Sequence, residues 1–132
     1  MNKLTLNKKI LIIVFTNDIY KFHYALNLGA SMKAIEIKVN VFFAGYACKY
    51  ISQDWKKFDN NSTNKKFKKK KMPTLEESFA FCKELKVNFF YCDTALDFVN
   101  IKKSNIIKSV KIKPIGMYSI LNEHKKDQLV FI

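Results

Sequence analysis

The sequence predicts an α/β fold, a mainly parallel sheet with helices on both faces. Two observations carry this. Strand-like and helix-like segments alternate along the chain. The connections between successive strands run to about ten residues or more, a length that parallel crossovers need and hairpins do not.

The elements follow in order. Lys9–Thr16 (KILIIVFT) is apolar and β-branched and ends at Asn17-Asp18, so it reads as a buried strand. Phe22, Ala25, Leu26, Gly29 and Met32 recur at three- and four-residue spacing and predict a helix over Tyr20–Ile35. Gly29 in its middle costs about 1 kcal/mol against Ala, which suits a helix lying close against the sheet. Ile37–Phe43 (IKVNVFF) is the second strand, and Gly45–Lys57 fits a short helix. Phe58–Lys71 is rich in Asn and Lys and predicts a mobile loop, a Lys-rich segment at about residues 56–72. Thr74 and Glu77 form a capping box that opens a helix to Leu85, with Leu75, Phe79, Cys82 and Leu85 facing inward. Val87–Tyr91 is the third strand, and Thr94–Asp97 reads as a second box opening a short helix to Asn100. Lys111–Lys113 is a weak strand ended by Pro114, Gly116–Glu123 a short helix and Leu129–Ile132 a terminal strand.

The 132 residues suit one domain over 1–132 with a real core. The longest wholly apolar run, Ile10–Phe15, has six residues, and a membrane span needs about 20. Met1–Lys9 is polar and lacks a signal-peptide pattern. These features predict a cytoplasmic protein whose three cysteines are reduced thiols. The net charge of +13 invites a nucleic-acid partner, but all 24 basic residues are Lys, without the Arg that reads phosphates and guanine edges. The excess is also local: Lys56–Lys71 holds eight Lys and one Asp. A solvated lysine run explains it more simply than a polyanion site.

Functional residues of an open parallel sheet gather at the carboxyl ends of its strands. Cys92 directly follows the third strand and precedes a helix start near Thr94, where the helix dipole favours a thiolate. Asp93 opposes that charge if it points inward. A cysteine at a strand end also serves as a small apolar residue. Asn17 and Asp18 follow the first strand, and Cys48 follows the second, close enough in principle to meet Cys92. His23, early in the first helix, faces the same edge as a candidate general acid, although a plain surface histidine is the simpler reading. Cys82 belongs to a helix's inner face and reads as core. No dinucleotide, P-loop or nucleophile-elbow motif is present, and three Cys and two His at scattered spacing make no zinc site. No cofactor or metal is predicted.

Met72–Glu77, Cys82–Leu85, the stretch Val87–Val99 and Ile101-Lys102, together with the terminal Val130–Ile132, resemble the DsrE/DsrF/DsrH-like family of sulfur-relay proteins. The first strand, the helix with Ala25, Gly29 and Ala30, and the Val39–Phe43 strand fit the same pattern. The strand–Cys–helix stretch around Cys92 is its most specific part. Where the family places Gly, this chain has Glu36, Lys86 and Asn100.

The resemblance implies a three-layer α/β/α fold on a five-stranded sheet and a small homo-oligomer (dimer, trimer or hexamer). It implies persulfide chemistry on Cys92, exchanged with sulfur donor and acceptor proteins, a sulfurtransferase or carrier activity without a cofactor. Asp93, Thr94, Asn17, Asp18, His23 and Cys48 are the candidate supporting residues. Two alternatives stand beside this reading. One is a non-catalytic oligomeric subunit that binds a small ligand or a protein. The other, the weakest, is binding of nucleic acid or an acidic partner through the lysine run.

Overall fold

The computed structural model describes residues 8–132. Five strands form one sheet: β1 (Lys9–Val14), β2 (Lys38–Phe43), β3 (Asn88–Tyr91), β4 (Ile112–Pro114) and β5 (Gln128–Phe131). Their order is β4-β3-β2-β1-β5 and every pairing is parallel. The register sets Val14 beside Phe43, Phe43 beside Tyr91 and Tyr91 beside Pro114. The residues that follow these four strands therefore emerge along one edge.

The helices are α1 (Ile19–Ala34), α2 (Thr63–Lys69), α3 (Leu75–Glu84), α4 (Asp93–Phe98) and α5 (Met117–Glu123). Two 3-10 helices, Gly45–Ile51 and Trp55–Phe58, follow β2. Alternation along each strand splits the core in two. Ile10, Ile12, Val14, Val39, Val41, Phe43, Phe89 and Tyr91 share the larger cluster with α1 and α3. There Phe22 stacks on Phe43 at 5.2 Å and Phe43 on Phe89 at 5.5 Å. Leu11 and Phe42 face the other way and pack with Ala44, Cys92 and Ile120 of α5. No helix among the described residues is long and apolar enough to cross a membrane.

Local chemistry explains most boundaries. Thr74 Oγ1 accepts from the Glu77 amide at 3.1 Å and Glu77 Oε1 from the Thr74 amide at 3.0 Å, the reciprocal box that starts α3. Glu36, Lys86 and Asn100 adopt φ of 68°, 63° and 61°. Each ends a helix in a left-handed residue flanked by the paired backbone bonds of a Schellman turn, such as Val87 N–H to Cys82 O at 2.9 Å. The sites where the resemblance implies glycine are thus the sites where the backbone turns left-handed.

Three expectations need correction. The Lys-rich segment is not a plain loop, because Thr63–Lys69 is helical. Both Asp59 carboxylate oxygens accept the first amides of α2, from Thr63 at 2.8 Å and Asn64 at 2.9 Å, and the lysines of its last turn suit the helix dipole. Phe67, buried on its inner face, anchors it. The second box does not form. Helix α4 starts at Asp93 with Cys92 as N-cap and no side-chain capping bond, so Thr94 already lies inside the helix. Lastly, Gly29 is not forced by close packing: a Cβ there would meet Val41 and Val39 at 3.5 and 3.6 Å, ordinary contact distances.

Candidate functional site

Two places on the carboxyl edge collect the candidate residues. The first centres on Cys92. Strand β3 ends at Tyr91 and α4 begins at Asp93, so Cys92 occupies the corner between them. Its N–H donates to the Phe43 carbonyl of the adjacent strand at 3.0 Å, which extends the sheet ladder by one residue, and its carbonyl accepts the Leu96 amide at 2.9 Å. The side chain turns to the smaller core cluster, among Leu11, Phe42, Ala44 and Ile120. Cys92 is 8% exposed.

Cys48 meets the same carbonyl from the other side of the sheet. Its Sγ lies 3.6 Å from the Phe43 oxygen, and the side chain belongs to the larger cluster. The two cysteines are therefore neighbours through one backbone oxygen, with side chains in different layers. Burial pushes the Cys48 thiol up to about 12, and the adjacent Cys92 sulfur adds to the rise. Cys48 thus stays a neutral thiol at physiological pH, a poor attacker in thiol exchange. Cys82, which donates to the Leu26 carbonyl at 3.2 Å, is core as read.

Asp93 and Thr94 are exposed on α4. Asp93 turns outward to Lys103, with Oδ1 and Nζ 3.4 Å apart. Its charge therefore has a partner away from the Cys92 pocket.

The second place lies at the end of β1. Asp18 is the N-cap of α1 and its Oδ1 accepts the Lys21 amide at 3.0 Å. The Asn17 carbonyl accepts the Tyr50 hydroxyl at 2.9 Å. Asn17 and Asp18 line a cleft of about 610 Å³ that Cys92 does not line. His23 is neither a surface residue nor an exposed acid: it is 4% exposed. Its Nε2 sits 2.8 Å from the Pro73 carbonyl, an acceptor, so Nε2 carries the proton and donates. Phe67 stacks on the ring at 3.9 Å. The helix α2 and its placement of Lys66 and Lys70 on this cleft were not foreseen. The available signal was the lone aromatic, Phe67, inside a lysine run.

A third feature also escaped sequence reasoning. Phe131, Phe15, Tyr46 and Phe98 are exposed, yet their rings follow one another at 6.0, 5.8 and 6.2 Å along the carboxyl edge. They come from β5, the end of β1, the first 3-10 helix and α4, so no single segment displays the strip.

Fold and edge together define a parallel α/β protein with a strand-end cysteine at a helix start. The sequence matches the DsrE/DsrF-like family over residues 8–131, and the chain belongs to that family, which is related to sulfur relay. The structure is similar to that of the YchN protein of E. coli, with 11% identity, 95% of this chain and 99% of that one covered, and a TM-score of 0.68. It is also similar to the protein of unknown function BT1422 from Bacteroides thetaiotaomicron, at 16% identity, 99% and 100% coverage and a TM-score of 0.67. A third, MTH1491 from Methanobacterium thermoautotrophicum, is 7% identical, with 96% and 100% coverage and a TM-score of 0.66. At these identities the likeness speaks for the fold. No curated protein matches the sequence.

Proposed function

We propose that the protein is a cytoplasmic sulfur-relay protein that carries sulfane sulfur as a persulfide on Cys92. The observation that carries this reading is the position of Cys92, at the end of an inner strand and the start of a helix, in a chain of the DsrE/DsrF-like family. In the loading step the Cys92 thiolate attacks the outer sulfur of a donor persulfide. The new bond joins that sulfur to Cys92, the donor's S–S bond breaks, and the donor leaves as a thiolate. An acceptor thiolate then takes the outer sulfur by the same exchange, releasing Cys92.

Exchange requires a thiol that a partner can reach. The cover over Cys92 is thin. Helix α5 has seven residues, buries only Ile120, and lacks a side-chain N-cap at Gly116. It is the element that would yield when a donor docks.

The aromatic strip on the same edge supports a homo-oligomer. Exposed contiguous aromatics of this kind mark protein contacts, and a second copy seated on them would bring a subunit boundary near Cys92.

A second reading is a non-catalytic subunit that binds a ligand or protein, with Cys92 as a small packing residue. The burial of Cys92 among Leu11, Phe42, Ala44 and Ile120 favours it. Intact mass after incubation with a persulfide donor separates the two. A gain of one sulfur atom, about 32 Da, on the wild type and not on Cys92→Ser supports the relay. No gain on folded protein, with Cys92 also resistant to alkylation, leaves the packing role.

A further inference from the structure

We infer that the cleft between the end of β1 and α2 is a binding site for a small anion bearing a planar ring, of the nucleoside monophosphate class. It lies apart from Cys92, so it stands independently of the relay. Its volume of about 610 Å³ falls within the range of roughly 300–1,000 Å³ typical of small-molecule sites.

The lining divides by chemistry. Tyr20, about half exposed, offers an aromatic face, Asn17 and Asn60 offer amides, and Lys66 and Lys70 offer ammonium groups. Lys70 is the C-cap of α2 and lies four residues after Lys66, so the two share one side of its last turn. Phe67 fixes that face by packing between α2 and α1, stacked on His23 at 3.9 Å and edge-on to Tyr20 at 5.3 Å. Among the described residues neither Lys66 nor Lys70 forms an ion pair.

Two carboxylates also border the cleft, and both face helix amides. Asp59 accepts the first amides of α2, and Asp18 accepts the Lys21 amide at the start of α1. The positive ends of those helices favour that charge, and both carboxylates also help raise the pKa of the Tyr50 hydroxyl, after its burial. The two lysines are the charges at the rim that have no ion-pair or capping partner among the described residues. A lysine binds phosphate as a point charge, and aromatic faces accept a base by stacking. A ligand with both groups uses what the cleft offers, whereas an uncharged ring or a bare phosphate uses half.

Amide NMR titration of the full chain with AMP tests this, with adenosine and inorganic phosphate as controls. The expected result is saturable shifts of Asn60, Asn61 and Phe67 amides with AMP. These should weaken about tenfold in Lys66→Gln/Lys70→Gln, a pair of exposed substitutions whose spectrum also reports folding. Cys92→Ser should bind AMP as the wild type does, whichever reading of Cys92 holds. Absence of saturable shifts overturns the proposal. So does equal response to inorganic phosphate, or shifts that survive in the double variant.

Discussion

Lys86 and Glu36 each close a helix at positive φ, where a Cβ crowds the backbone. Glycine removes that crowding, so Lys86→Gly and Glu36→Gly should each add about 1 kcal/mol of stability, read as a higher urea midpoint at unchanged slope. Gly45 is the opposite case. It holds φ +51°, and a Cβ would fall on the Phe15 ring. Gly45→Ala should therefore cost roughly 1–2 kcal/mol and disturb the aromatic strip, visible as a lower midpoint. His23 carries a pH signature. Burial lowers its pKa from 6.5, and the Pro73 hydrogen bond offsets the shift in part. Its Nδ1 is buried without a partner among the described residues, so a second proton there meets no acceptor among them. The unfolded chain takes up that proton near pH 6.5 and the folded chain resists it. The contribution of His23 to stability is thus complete above pH 6.5 and declines as pH falls toward the lower folded value. Urea midpoints measured from about pH 7.5 to about pH 5 should show this loss in wild type and a flatter profile in His23→Gln, whose amide can still donate to Pro73.

Elements differ in how legible they were. Helices α1 and α3 follow from apolar spacing and a capping box, both local properties. Helix α2 did not follow, because four lysines around one Phe carry no amphipathic period. Its order comes from Asp59 at one end and from Phe67 seated on Tyr20 and His23 of another helix. Helix α5 reaches the Cys92 cluster through Ile120, its only buried residue. Ile120→Ala should cost about 2–4 kcal/mol and speed alkylation of Cys92 under native conditions, while Cys48 and Cys82 remain slow. Equal acceleration of all three thiols would indicate global unfolding rather than opening of α5.

At the scale of the whole molecule, the aromatic strip assembles from residues 15, 46, 98 and 131, which only the parallel sheet brings to one edge. Light scattering should return a multiple of the chain mass for the wild type. Phe98→Asp and Phe131→Asp, both at highly exposed positions, should shift it toward the monomer without loss of helix signal. A monomeric wild type would remove the homo-oligomer from the proposed function.

The sequence by itself determined the strand–helix alternation, the parallel sheet, the α3 capping box and the corner position of Cys92. These are properties of neighbouring residues, set by side-chain period, hydrogen-bonding side chains and connection length. The tertiary structure alone decided that Cys92 is covered, that Cys48 shares a carbonyl with it from the opposite layer, and that His23 is buried under Phe67. It also decided that Lys66 and Lys70 border a cleft with Asn17. Burial, pKa and cleft shape depend on atoms distant in sequence, and no local pattern records which distant atoms those are.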